Sequence, residues 1–264
     1  MGGIIQQSRI NIAAESLSIV LITLNEEINL CGLLPEIPKG AEIIIIDSGS
    51  QDKTKELAMA HGAYFEFRAF DDYASQKTYA VSKATRPWTL VLDADERPDQ
   101  RLWSEILFAV QRNETKSYRM CRRLIFCGRK MRHGRTRDWV ERLFPTGVVY
   151  YANEIHETAC FSRPVAKAKL AGILWHQSYR DLTDYFAKFN RYTTLVAKAR
   201  VSKNKGLPSK VVLAARLPLD FIARYVFRAG FLDGWPGFLW AVLGSFYGFI
   251  KYVKALEAKS RAQI

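Results

Sequence analysis

The chain has 264 residues, 48% of them hydrophobic, and a net charge of +13. That is enough to bury a core as one large domain, or one domain with an appendage. The charge implies an anionic partner: nucleic acid, acidic membrane lipid or a phosphorylated substrate. The four cysteines (Cys31, Cys121, Cys127, Cys160) form no CxxC pair and read as reduced thiols of a cytosolic chain. The start, "MGGIIQQSRINIAAES", lacks the charged head and apolar run of a signal peptide, and no repeat or low-complexity tract follows.

Residues 1–16 read as an N-terminal extension. "LSIVLITLN" (Leu17–Asn25) and "AEIIIIDSGSQD" (Ala41–Asp52) are β-branched apolar runs, the second ending in an Asp-Ser-Gly turn. "DKTKELAMAHG" predicts a short helix closed by Gly62, "AYFEFR" a strand and "SQKTYAVSKAT" a helix. "WTLVLDAD" is a strand again, and "DQRLWSEILFAVQ" an amphipathic helix. Strands without alternation, separated by helices, predict an α/β fold with a mostly parallel sheet covered on both faces. Ligands of such sheets bind beyond the carboxyl ends of the strands. Three strands here end in polar groups: Thr23, Asn25 and Glu26; Asp47 and Ser48; Asp93 and Asp95. Acidic helix caps explain Asp47 or Asp52 alone as well as a binding role does. They explain Asp93 and Asp95 together poorly. From Ser117 to about Leu174 the pattern is β-rich; from Tyr179 it turns helical and basic, with "KNKGLP" (Lys203–Pro208) as a linker.

Asp93, Asp95 and Glu96 crowd three carboxylates into four positions. Like charges repel at that distance, so water or a cation must separate them. An Asp-x-Asp pair at a strand end suits Mg²⁺ or Mn²⁺, which takes one or two carboxylates and completes its shell with substrate phosphates and water. Asp47, ending the neighbouring strand, is suited to accept from a uracil or ribose group. Lys77, on the helix "SQKTYAVSKA", is placed to approach the diphosphate or the base; a solvated helix lysine is an equal alternative.

Taken together, "TLNEE", "IIDSGSQDKT", "QKTYAVSKATRPWTLVLDADE" and "RLFPTGVVYYANEIHE" resemble family 2 inverting glycosyltransferases of the GT-A (Rossmann-like) fold. The likeness runs from about Leu17 to His176 and gives a domain of residues 17–178. The tail "YVFRAGFLDGWPGFLWAVLGSFYGFIKYVKALE" resembles that of bacterial lipopolysaccharide inner-core glucosyltransferases, which add β-glucose to a heptose. The resemblance implies UDP-glucose as donor and a lipid-linked lipopolysaccharide core as acceptor. It also implies work at the cytoplasmic face of the inner membrane of a Gram-negative bacterium. By it, Thr23, Asn25 and Glu26 close around the nucleotide, Asp47 takes the uridine, and Asp93 and Asp95 form the metal motif, Asp95 ahead of Asp93 as direct ligand. The base is then Glu157 in "NEIHE", with Glu154 as competitor, since a carboxylate must take the acceptor hydroxyl's proton within about 2.6–3.2 Å. His156 is assigned to orienting the acceptor or the metal shell, against a structural role. His176 in "ILWHQS" is a further candidate for metal or diphosphate, and Arg142 for diphosphate or acceptor. An ordinary ion pair of Arg142 with Glu141 or Asp138 competes equally.

Residues 179–264 read as a helical, basic and aromatic appendage. Arg216, Asp220, Arg224 and Arg228 recur every fourth residue and share one drifting helical face. The following apolar stretch is interrupted by Asp233, Gly234 and Pro236 and falls short of the ~20 residues a spanning helix needs. Trp and Tyr flanked by Lys and Arg, including Lys251 and Lys254, favour a pair of helices lying on an anionic membrane; a packed subdomain or a dimer interface is the alternative. A nucleotidyltransferase would carry a Gly-rich basic loop after the first strand, and "TLNEEINLCGLL" has none. A nucleic-acid-binding protein would show a helix-turn-helix or an aromatic RNA-binding signature, and neither appears.

Overall fold

Both faces of the first two strands are buried in the computed structural model, which describes residues 12–152, 158–203 and 206–261. Along β1 (Leu17–Thr23) and β2 (Glu42–Asp47), Leu17, Ile19, Leu21, Ile43 and Ile45 enter one core cluster, while Val20, Ile44 and Ile46 enter a second. Burial on two sides is why these runs show no polar alternation. The helices α1 (Glu27–Leu33), α2 (Thr54–Ala60), α3 (Tyr73–Ser82) and α4 (Gln100–Arg112) alternate with β3 (Tyr64–Phe67), β4 (Trp88–Val91) and β5 (Glu96–Pro98). Then come β6 (Lys116–Phe126), β7 (Arg129–Lys130), β8 (Arg137–Pro145), β9 (Val149–Ala152), β10 (Thr158–Phe161) and β11 (Ala166–His176).

The strand order is β3-β2-β1-β4-β8-β6-β11-β5, with β7 paired to β6 and a separate β9–β10 hairpin. The chain moves outward from β1 to β3 and then returns to place β4 on the other side of β1. The crevice beyond β1 and β4 is therefore the topological switch point, where ligands of such sheets bind. Strands β1 to β4 pair in parallel, as the alternating helices demand. β4 pairs antiparallel with β8, and β5 with β11. No helix lies between Arg112 and His176 among the described residues to carry a parallel crossover, so the sheet changes direction there. The α/β class is as the sequence predicts, and the parallel part is its first half.

Helix α4 starts where the Asp99 carboxylate accepts from Leu102 N at 2.7 Å, and it ends at Asn113 in the left-handed region. Its Glu105 accepts from the backbone of Ala171 and Gly172 on β11, at 2.6 and 2.9 Å. A β-carbon at Gly172 would lie 2.5 Å from the Leu102 backbone. Gly172→Ala is accordingly expected to cost about 2–3 kcal/mol of stability, since backbone cannot rotate aside as a side chain does; urea denaturation reads the loss.

The chain divides into two compact units, residues 1–122 with 138–176, and residues 123–137 with 177–264. The second unit contains α5 (Leu182–Ser202), α6 (Lys210–Ile222), a short π-helical turn (Ala223–Phe227) and the long α7 (Gly234–Arg261). Its core is aromatic: Phe126, Tyr179, Tyr185 and Trp240 pack ring against ring beside Leu124, Met131 and Leu243. The buried Asp233 closes this unit locally by accepting from Arg132 N and His133 N at 3.0 and 2.8 Å.

Candidate active site

The polar ends of β1 and β2 are laced together. Parallel register sets Thr23 beside Asp47, both 3% exposed, and the Thr23 hydroxyl donates to Asp47 Oδ2 at 2.7 Å. The Ser50 hydroxyl donates to the same oxygen at 2.6 Å; Gly49 N and Ser50 N donate to Oδ1 at 2.8 and 2.7 Å. Gly49 makes this turn at φ +106°, a conformation that costs any residue with a β-carbon. Asp47 thus folds the loop around its own carboxylate, and a uridine would have to share or displace one of these four donors. Asn25, at φ +55°, donates its N–H to Ser50 Oγ and accepts from Gln51 N. Glu26 donates its N–H to Thr54 Oγ1, and its carboxylate accepts from Asn29. Asp52 accepts from Thr54 N, Thr54 Oγ1 and Glu27 N, so it ties the two helix starts together.

At the end of β4 the chain turns through Asp93, Ala94, Asp95 and Glu96, closed by Glu96 N donating to Asp93 O at 2.9 Å. Ala94 enters the core, and the carboxylates are thrown to different surroundings. Asp93 meets two buried cations: Lys77 Nζ at 2.7 Å and Arg142 Nη2 at 2.5 Å. Glu96, fully buried, accepts from Arg142 Nη2 at 2.6 Å, Arg122 Nη1 at 3.1 Å and Asp93 N at 3.1 Å. Asp95 is about a quarter exposed and faces His176 Nε2 at 3.2 Å. That meeting follows from strand register, because His176 lies opposite Glu96 in the β5–β11 pairing.

The protein's own cations therefore relieve the crowding that the sequence poses. Burial opposes ionisation of Asp93, but Arg142 and Lys77 outweigh it and hold the carboxyl well below the usual range. Burial likewise opposes the charged form of His176, and the hydrogen bond and charge of Asp95 raise its pKa overall. Lys77 is not a solvated helix lysine: it is 2% exposed and lies 5.8 Å from the centre of the Tyr151 ring. The ion pairs offered for Arg142 are also corrected. Glu141 is taken by Lys167 at 3.0 Å and Asp138 by Arg122 at 2.7 Å, while Arg142 is buried and turns to Asp93 and Glu96.

Two participants were missed from the sequence, Arg122 on β6 and the buried Tyr151 on β9. Three crowded acids call for a third fixed cation, and "CRRL" supplies it. Glu154, His156 and Glu157 lie outside the described residues.

The family model for glycosyl transferase family 2 matches residues 18–199, which include every one of these side chains. The chain belongs to this family. A lipopolysaccharide core biosynthesis glycosyltransferase of Rhizobium meliloti, LpsC, is 31% identical over 91% of this chain and 92% of its own. An uncharacterized glycosyltransferase of Rickettsia prowazekii is 26% identical over 94% and 89%. Among solved structures, Staphylococcus aureus TarS 1–349 in complex with UDP covers 94% of this chain and 92% of that one, at 12% identity and a TM-score of 0.44. That likeness is too distant to bear on what this glycosyltransferase binds.

Proposed function

We propose that this glycosyltransferase moves a hexose, glucose from UDP-glucose, with inversion onto an inner-core sugar of lipopolysaccharide such as heptose. The acceptor reading rests on the relative of R. meliloti, whose name places it in lipopolysaccharide core biosynthesis. A lipid-linked acceptor of that kind puts the work at the cytoplasmic face of the inner membrane. No helix among the described residues is long and apolar enough to cross a membrane.

The observation that carries the donor reading is the charge balance of the acidic turn. Asp93, Glu96 and Asp138 are matched one for one by Lys77, Arg142 and Arg122, leaving no surplus positive charge for an incoming diphosphate. Asp95, whose ion-pair partner is a histidine, is the carboxylate available to a divalent ion, with His176 beside it. Among the described residues no group of three or more His, Cys, Asp or Glu suffices to hold a metal alone. Such a donor set fits Mg²⁺ or Mn²⁺ shared with a substrate, since these ions are commonly completed by phosphate oxygens and water. When bound, the ion would offset the negative charge that develops on the departing UDP. Thr23, Asn25, Glu26 and Asp47 shape the loops that receive the nucleotide. Lys77 and Arg142 keep Asp93 ionised and in place.

UDP with Mn²⁺ is expected to raise the melting temperature by several degrees, as ligand at about 100 times its dissociation constant adds about 2.7 kcal/mol. UDP alone should do much less, and an equal shift without metal removes the metal from the reading. Glu157→Gln is expected to retain UDP-sugar binding and lose transfer by about 10²–10⁴-fold, the usual worth of a general base. If Glu154→Gln behaves so instead, the base is Glu154.

A further inference from the structure

Helix α6 turns an ion pair inward and leaves an apolar stripe outside. Asp220 and Arg224, one turn apart, pair at 3.0 Å (Nε to Oδ2), and this pair is laid against α7. α7 admits it with two glycines four residues apart. A β-carbon at Gly244 would fall 2.6 Å from Arg224 Nη1, and one at Gly248 3.4 Å from Asp220 Oδ2. Arg216 follows on the same side, its guanidinium 5.2 Å from the centre of the Tyr252 ring. Of the four charges spaced along one face, Asp220 and Arg224 are thus turned toward α7 while Arg216 and Arg228 stay exposed, and Lys254 is engaged with Asn190, Thr193 and Thr194 of α5.

The opposite face is apolar and uncovered. Val211, Ala215, Leu219 and Ile222 recur at helical spacing, with Val211 78% and Leu219 63% exposed. Beyond the helix, Phe227 is 83% and Trp235 69% exposed. A helix in water places its apolar stripe toward the core and its charges outward. The reverse arrangement is stable where the outer medium is itself apolar.

We infer that this face of α6, with Phe227 and Trp235 at its end, is the surface by which the enzyme inserts into the interfacial layer of an anionic lipid bilayer. Charge distinguishes this occupant from a second copy of the chain. The second unit holds 21 of the 39 Lys and Arg but five of the 26 Asp and Glu, leaving the first with 18 against 21. Two such basic units repel each other, whereas an acidic leaflet attracts each one. The helix lies in the membrane plane with its apolar side down, a mode suited to a segment too short and interrupted to span. The inference deepens the reading of a lipid-linked acceptor by naming the surface that brings the enzyme to it, and it is tested without that acceptor.

The test is flotation of the full chain with vesicles of phosphatidylcholine, with and without phosphatidylglycerol. The wild type is expected to float with the anionic vesicles, and Leu219→Glu and Phe227→Glu each to weaken binding about tenfold or more. Phe108→Glu, an exposed apolar position of the first unit, should float like the wild type. Brominated lipid should quench wild-type tryptophan fluorescence, and that quenching should drop in Trp235→Phe; this arm needs no added charge and keeps the question open to refutation if the glutamate variants misfold. Wild type that stays unbound, or variants that float unchanged, overturns the inference. So does a wild-type dimer that Leu219→Glu splits without altering flotation, which makes the stripe a subunit interface. Vesicle binding without transfer to lipopolysaccharide core would instead leave the docking surface standing and remove the acceptor.

Discussion

Asp95→Ala is expected to lower sugar transfer on the order of a thousandfold or more while the unfolding curve stays within about 0.5–1 kcal/mol of wild type. The asymmetry follows from the surroundings of the side chain. Asp95 is a quarter exposed, and its ion-pair partner among the described residues is His176 rather than a buried lysine or arginine. Its removal costs the fold little. In the proposed reading, the Asp95 carboxylate is the charge that an incoming metal diphosphate uses, since Asp93 and Glu96 are engaged by lysine and arginine. Steady-state transfer assays beside urea melts separate the two effects. A variant that keeps wild-type turnover would dispose of the metal reading; one that unfolds would show that Asp95 is structural.

Asp93→Ala is expected to do the opposite in kind and to destabilise the fold by about 3 kcal/mol. Lys77 and Arg142 are 2% and 5% exposed, and both lose a carboxylate that lies within 2.7 Å. Removing one member of a buried ion pair commonly costs 3–5 kcal/mol, because the charge left behind was desolvated for a partner now absent. The lower end applies because Asp93 itself is about a quarter exposed. Glu96 still serves Arg142, so the loss falls mainly on Lys77. The double variant Lys77→Met, Asp93→Ala should therefore recover part of the stability, which a double-mutant cycle reads directly. The pH dependence has a defined sign. A carboxyl whose folded pKa is depressed contributes fully above its unfolded value, about 3.9, and loses the contribution as pH falls through the lower folded value. The gap between wild type and Asp93→Ala should hold at neutral pH and close only below about pH 4.

These two expectations divide the Asp-x-Asp pair between structure and chemistry. Asp93 anchors two cations from distant parts of the chain and sets the turn in place. Asp95, two residues on, is left facing outward with a titratable partner. Spacing alone treats the two acids as equals; burial and partners make them different.

Much of the parallel sheet could be read from the chain alone. Unbroken runs such as "IIII" arise because both faces of β2 are covered, and this local signal is complete within the segment. The clustering of Thr23, Asp47 and Asp93 at strand ends is legible for the same reason, since strand direction alone brings those ends to one edge. The tertiary structure decided which cations answer which acids. Lys77, Arg142, Arg122 and His176 reach the turn from a helix and three other strands, and ion pairs between distant segments leave no periodic trace in the sequence. It also decided which side of α6 faces outward. A four-residue spacing of charges marks a face, but only the glycines of α7 determine that Asp220 and Arg224, and not Arg216 or Arg228, are the ones turned in.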